Sequence, residues 1–360
     1  MVNFEPSEEQ HLIRDTVRQF AVEQVRPAAR PADETGQIPE TLVEHAWELG
    51  LVQNNIPEEF GGHGADHSAT TSALFCEELA WADLSIALHL LAPRLITEPV
   101  LDAGSDTLRK LILPSFTGES FAAGSAAITE PAFNYDVNEM QTTAVRRNGD
   151  VVLTGAKCFA PLAADAEHIL VYARGEQGVT GVVVPRDAAG LTISEREQNM
   201  GLKGLATYEL QLDHCQVPAD HQLQGDLRPL LNRQRVASAA LAVGVARAAF
   251  EYARDYAKER KAFGVAIAQK QAIAFMLAEM AIEIDATRLL TWEAAWKIDR
   301  DEDATREACL ARRYAANMAL KVTDNAVQVL GGHGYIRDHL VELFLRNARA
   351  FAVADGLAMA

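Results

Sequence analysis

Few residues in this sequence have the types and spacing to do chemistry. The stretch YAKERKAFG (256–264) sets Lys258, Arg260 and Lys261 beside Phe263. A guanidinium can hold a phosphate and a phenyl face can receive an aromatic base, a combination suited to a dinucleotide. The plainer reading is that cations at a helix C-terminus complement its dipole, and composition does not choose between the two. GGHG occurs at 61–64 and again at 331–334, but neither copy follows a strand and opens a helix, so a Rossmann phosphate grip is unsupported. By themselves His63 and His333 read as loop histidines. Asp355, a lone carboxylate, would ordinarily be a solvated surface group, and Glu130-Pro131 after AAIT a strand ending in a turn. The chain has no HExxH, GxSxG or P-loop pattern and no metal-ligand spacing, so no metal is expected.

The elements that must position these residues fall into three sections: 1–120, 121–227 and 228–360. The first reads as helices. Ser7 and Gln10 form a capping-box pattern, and Leu12, Ile13, Val17, Phe20 and Ala21 recur at helical spacing until Pro27. Further helices are expected at 40–50 and 68–91, the latter broken near Asp83, with a turn-rich loop at 57–66 between them. The middle section is a series of short β-rich segments, with Asn148-Gly149 as a hairpin turn, and fits a small barrel or sandwich. Long helical runs follow at 228–260, 268–299 and 303–330, with a shorter one near 340–352, as in a four-helix bundle. The stripe Ile273, Met276, Leu277, Met280, Ile284, Leu289 and Trp292 reads as bundle core, with subunit contact as the alternative. The fold class is α+β, mostly α.

Composition sets outer limits. At 49% apolar, the 360-residue chain can bury sizeable cores, and its net charge of −17 argues against nucleic acid and against general attraction to anionic membranes. Any anionic ligand must therefore be held by local cations. The four cysteines form no CxxC pair, as expected of reduced thiols in a cytoplasm. MVNFEPSEEQ lacks the pattern of an export leader, and no run of 18 uninterrupted apolar residues occurs, so membrane insertion is not expected.

In chain order, PEEFGGHG (57–64), AAITEP (126–131), GAKCF (155–159), LDHCQVP (212–218), YAKERKAFG, QAIAFMLAEMA (271–281) and AVQVLGGHGY (326–335) make the chain resemble the acyl-CoA dehydrogenase family along nearly its entire length. The resemblance implies N-terminal helices, a central β-barrel and a C-terminal four-helix bundle. It implies FAD, with Arg260 near the pyrophosphate, Phe263 against the adenosine, and Gln271 on the next helix. Gln328, Gly331 and Gly332 would come from a neighbouring subunit of a homotetramer, a dimer of dimers. Thr129 and Phe159 fall where the family contacts the isoalloxazine. The implied reaction is α,β-dehydrogenation of an acyl-CoA or acyl-carrier thioester, with electrons passed to an electron-transfer flavoprotein. The family's base before a glycine corresponds to Asp355.

Several positions depart from the family pattern. Asp355 is one methylene shorter than the usual glutamate, and an uncompensated shift on the order of 1 Å would cost on the order of 10²-fold. The alternative site for a base, on the first bundle helix, is occupied by Gln234. Arg235 matches a bundle arginine, either as a substrate contact or as a structural partner. Tyr135 replaces a small hydroxyl residue in the loop after TEP and is a candidate substrate contact. Pro161 stands where many relatives have a threonine. These departures keep two other readings open: a non-catalytic or cofactor-lending subunit of a hetero-oligomer, and a same-fold flavin oxidase using Asp355.

Overall fold

The computed structural model describes residues 5–65 and 67–360; Asp66, the last residue of the 57–66 loop, lies outside them. Helix α1, Glu8–Phe20, opens on the reciprocal cap read from the sequence: Gln10 N–H donates to Ser7 Oγ, and Gln10 Oε1 accepts from Ser7 N–H. The helical path does not stop at Pro27. A π-helical turn, Ala21–Val25, leads into α2, Arg26–Thr35, and places Pro27 in the first turn, where its missing N–H is tolerated. Helix α3 is Glu40–Glu48. The run at 68–91 splits as expected into α4, Ala69–Ala82, and α5, Leu84–Leu91, because Asp83 leaves the helix and its carboxylate accepts from Ile86 N–H. Helices α6, Arg94–Ala103, and α7, Asp106–Ile112, complete this section.

The strands are β1, Ser125–Ala127; β2, Thr143–Arg147; β3, Asp150–Pro161; β4, His168–Gly175; β5, Gly178–Pro185; β6, Leu191–Arg196; and β7, Thr207–Pro218. They form one sheet in the order β1-β4-β2-β3-β7-β6, with β5 also on β4. Strand β5 covers one edge of β4 along its length, while β1 and then β2 pair in parallel with β4 at Ser125↔Ile169 to Ala127↔Val171 and at Thr143↔Arg174. Asn148 and Gly149, both at positive φ, turn the β2–β3 hairpin, as the dipeptide predicts. The sheet encloses its own apolar core, including Val151, Leu153, Val171, Val182 and Leu212.

Helices α8, Arg228–Glu259, α9, Gln271–Ile298, α10, Thr305–Leu330, and α12, Val341–Ala348, make the bundle, with a single turn, α11, at Gly332–Tyr335. The expected spans shorten at their ends. Residues 260–266 leave α8 as a hairpin of β8, Lys261–Ala262, and β9, Val265–Ala266; Ile267–Gln269 and Arg349–Ala352 are 3-10 turns. The α9 stripe is not plain core: Met280 and Ile284 are buried, but Leu289 is exposed and Ile273, Met276, Leu277 and Trp292 are half-buried. One core runs from Val17 in α1 to Met359, so helices from both ends of the chain share it. Helix α8 is central, packed against α4, α9 and α10. Its length and its mean hydropathy of 1.3 over the most apolar window would suit a membrane span, but 72% of that window is buried within the protein. At Gly244 an added Cβ would lie 2.3 Å from Glu77 C=O, so only glycine lets α4 and α8 approach this closely.

Buried charge fixes how the helices sit. Glu77 and Glu78 on α4 face Arg247 on α8 at 2.8 and 2.6 Å; Arg18 of α1 adds to Glu78, and Arg288 of α9 to Glu77. On α6, Glu98 meets Arg94 at 3.1 Å and His67 at 2.7 Å, with both α6 side chains about 1% exposed. Burial pushes the Glu98 carboxyl up, but Arg94, His67 and Asn55 outweigh it and hold the value at about 2. The folded value lies below the ordinary 4.5, so this contribution is complete above that pH and lost as pH falls toward 2. Urea midpoints measured down through this window will fall in the parent protein. Glu98→Gln will be less stable above it, by about 3–5 kcal/mol because Arg94 is left unpaired, and will show a shallower fall.

Candidate active site

Four of the residues singled out from the sequence meet. Thr129, Tyr135, Phe159 and Asp355 line one cavity of about 610 Å³ between the sheet and the turn that follows α12. Thr129, just past β1, holds the backbone of Asp355: its Oγ accepts from Asp355 N–H at 3.1 Å and donates to Asp355 C=O at 3.3 Å. From the opposite side Arg312, in the first third of α10, donates to the Asp355 carboxylate at 2.7 Å and to the carbonyls of Phe351 and Ala354 at 2.7 and 3.3 Å. Asp355 is thus no freely solvated surface carboxylate; its side chain is 50% exposed but ion-paired and anchored at both backbone groups. Gly356 follows at φ +67°, and a Cβ there would lie 2.3 Å from Ile128 Cγ2 and 3.6 Å from Gln234 Oε1.

The strand end read at Glu130-Pro131 is also more than a turn. Glu130 is buried and accepts from Gln141 N–H at 2.7 Å, Thr142 N–H at 2.8 Å and Lys157 Nζ at 3.0 Å. Burial alone would raise the Glu130 carboxyl, but these hydrogen bonds and the lysine charge hold it below the usual range. Lys157 is fully buried; burial pulls it down to about 8 despite the Glu130 charge. The pair closes the base of the loop that carries Tyr135. Phe159 sits in a bulge of β3, where the register to β7 shifts between Lys157 and Ala160, at a strained φ of +55°. Beside it, burial and nearby Glu197 push the Cys158 thiol up to about 12. Pro161 is buried and still faces Thr207 in the β3–β7 register.

The remaining site residues lie elsewhere. Arg260, Phe263 and Gln271 are exposed around the β8–β9 hairpin, whose turn is Phe263-Gly264 at φ +55° and +84°. Phe263 is 95% exposed, with Lys270 Nζ 5.7 Å from its ring centre. Among the described residues, Arg260, Gln271 and Gln328 have no side-chain hydrogen bond or ion pair. Gln328, Gly331 and Gly332 are exposed at the end of α10, and no atom lies within 4 Å of a Cβ built at either glycine. This turn is pinned to the last turns of α8 by Tyr256 Oη and His333 Nδ1 at 2.8 Å, so both exposed groups share one corner of the bundle. His63 bonds Asn54 at 2.7 Å within its loop. Arg235 does not line the cavity; it donates to Asn232 on its own helix at 2.9 Å. Gln234 is buried beside Gly356 and donates to Tyr172 Oη at 3.2 Å.

The arrangement fits FAD. The cavity has an aromatic wall, Phe159 with Phe133, and the buried Tyr135 Oη and Glu197 Oε2 that border it have no hydrogen-bond partner among the described residues. The separate corner offers an uncommitted guanidinium and an uncovered phenyl ring, which match a phosphate and an adenine. Arg312 was not legible as a site residue. In LARRYAAN it reads as half of a solvated basic pair, and its partner lies 43 residues away. On the other side of the Asp355 turn, a slot between Leu84 and Leu88 of α5, Leu241 of α8 and Leu357 has only about 10 Å³ free. Gly356→Ala will destabilise the protein by at least about 1 kcal/mol in urea unfolding, from the clash with Ile128 and the left-handed backbone.

Comparison with known proteins shows the family. The profiles for the N-terminal, middle and C-terminal domains of acyl-CoA dehydrogenase match residues 7–119, 125–215 and 227–358. A probable acyl-CoA dehydrogenase of Bacillus subtilis, YngJ, is 35% identical over 99% of this chain and 96% of its own. Cyclohex-1-ene-1-carbonyl-CoA dehydrogenase of Geobacter metallireducens is 35% identical over 97% of this chain and 95% of its own. The structure of butyryl-CoA dehydrogenase from Megasphaera elsdenii superposes with a TM-score of 0.87 at 28% identity, covering 99% of this chain and 96% of that one. The chain belongs to the acyl-CoA dehydrogenase family of FAD-dependent oxidoreductases.

Proposed function

We propose that this protein dehydrogenates a compact acyl thioester between its α and β carbons, with Asp355 as the base, and hands the electrons to an electron-transfer flavoprotein. The observation that carries this reading is the double anchoring of Asp355 at the edge of an aromatic-walled cavity. Bound FAD would supply the hydride acceptor. The chain's own residues do the rest. Phe159 and Thr129 would bound the ring, Asp355 would take the α-proton onto its carboxylate, and Arg312 would keep that carboxylate in place although it is one methylene shorter than glutamate. An acyl group entering on the apolar side meets Leu84, Leu88 and Leu357, where the free space is only about 10 Å³, roughly what a single water needs. That supports a short or cyclic acyl group, carried on CoA or on an acyl carrier.

Arg260, Phe263 and Gln271, together with Gln328, Gly331 and Gly332, would hold the phosphate and adenosine end of FAD with help from a second copy. What supports an oligomer is apolar surface at that corner and along α9: Phe263 at 95%, Tyr335 at 88%, Ile282 at 67% and Phe275 at 60% exposure. Covering such side chains stabilises an interface by roughly 25 cal/mol per Å². A homotetramer in the cytoplasm is the assembly this reading implies. The flavin-oxidase alternative is favoured by one observation: Asp355 is paired with Arg312 and shares its cavity with Glu130, Glu197 and Glu209, so its surroundings are largely polar.

Anaerobic titration with a panel of acyl-CoA thioesters tests the proposal. The flavin of the parent protein will bleach, and Asp355→Asn will keep its FAD but bleach at least about 10²-fold more slowly. Rapid reoxidation by oxygen with no response to any thioester would favour the oxidase, and purification without FAD would favour a cofactor-lending subunit. Across the panel, bleaching will weaken as the acyl chain lengthens, and Leu88→Ala will restore reaction with the longer chains. Equal reaction of the parent protein with long and short chains would rule out the compact-acyl reading.

A further inference from the structure

Most of the polar groups that wall the Asp355 cavity are committed, Glu197 Oε2 and the exposed Glu209 carboxylate apart. Thr129 is bonded to the Asp355 backbone, Asp355 to Arg312, and Glu130 to Lys157 and the 141–142 backbone. Tyr135 is the exception among the hydroxyls. Its ring packs against the main apolar core, and its Oη is buried yet has no hydrogen-bond partner among the described residues. Burial and the nearby carboxylates of Asp355, Glu130 and Asp136 push its ionisation above the ordinary phenol range, so the group stays a neutral O–H donor. Its loop is fixed at one end by the Glu130 clamp and near the other by Asp136, which accepts from Asn138 N–H at 2.8 Å. A held donor with no acceptor is costly unless a ligand supplies one.

We propose that Tyr135 donates its hydroxyl proton as a hydrogen bond to a carbonyl oxygen of the ligand bound in this cavity. Two sources offer that chemistry: a pyrimidine carbonyl of the flavin, or the carbonyl of the thioester. The identity of the ligand rests on the function proposed above; the unpartnered hydroxyl does not. In the free protein the hydroxyl holds nothing together, so removing it leaves the fold intact. The bond matters most if the acceptor gains negative charge during reaction, because a fixed donor then stabilises the charged state over the ground state.

Tyr135→Phe keeps the ring and removes only the oxygen. Its urea midpoint with FAD bound is expected to match the parent's if the thioester is the acceptor and to fall only together with a changed flavin spectrum or potential, because a lost cofactor bond lowers ligand-linked stability. If the flavin is the acceptor, the variant's visible spectrum or reduction potential will differ from the parent's with no thioester present. If the thioester is the acceptor, spectrum and potential will match, while acyl-CoA affinity falls or kcat falls on the order of a hundredfold at little-changed KM. A lower urea midpoint with unchanged flavin spectrum and potential, which would reveal a structural partner, overturns the proposal. So does a variant matching the parent in spectrum, potential, acyl-CoA affinity and turnover. The base assignment is judged separately, by Asp355→Asn, and the flavin comparison stands whether or not Asp355 is the base.

Discussion

The site depends on one small constraint: the paired hydrogen bonds between the Thr129 hydroxyl and the backbone of Asp355. Thr129 belongs to the sheet and Asp355 to the turn after the bundle, so this contact joins two parts of the chain 226 residues apart. Thr129 is held in turn by its neighbour Glu130, whose carboxylate gathers two backbone amides and the buried Lys157. Gly356 lets the chain pass Ile128 at a separation no side chain would allow. Loosening any of these would move the carboxylate, and the proton transfer proposed for it would be sensitive to displacements on the order of 1 Å.

Electrostatics in this protein is local. A net charge of −17 would repel an anionic cofactor at long range, yet the surface charge is screened beyond about 10 Å, and the cations sit where they act. Arg312 faces Asp355, Arg260 stands uncommitted at the exposed corner, and Arg247 lies between Glu77 and Glu78. The last of these is a different use of charge. Buried pairs seldom add much net stability over apolar packing, but breaking one is costly, so they favour a single seating of α4 on α8. The small residues of α8, Gly244 among them, make that seating close.

The two halves of the predicted cofactor site differ in completeness. The half proposed for the flavin is an open cavity lined by a single chain, with a bulged strand presenting Phe159 and a clamped loop presenting Tyr135. The adenosine half is open, with an aromatic ring on a hairpin turn and an amide-rich glycine turn beside it, both facing outward. Exposed aromatics of this kind are expensive in water. Covering them by a ligand and a second surface together would remove that cost, which would link cofactor retention to assembly in the proposed enzyme.

The sequence by itself determined the order of elements, because hydrophobic period, caps and the Asn-Gly turn are local signals carried by neighbouring residues. Ser7 and Gln10, the break at Asp83 and the β2–β3 hairpin were all legible in this way. So was the family, through short stretches spread along the chain. The continuation through Pro27 was not, since a π turn resolves the proline only in the context of the packed helix. Nor was the α9 stripe, whose exposure depends on what else covers it. Tertiary structure alone decided the chemistry of the site: that Arg312 would meet Asp355, that Glu130 and Lys157 would be a buried pair, and that Tyr135 would keep its hydroxyl free. These are contacts between residues far apart in sequence, and their geometry is set by how sheet and bundle dock, which no local pattern encodes.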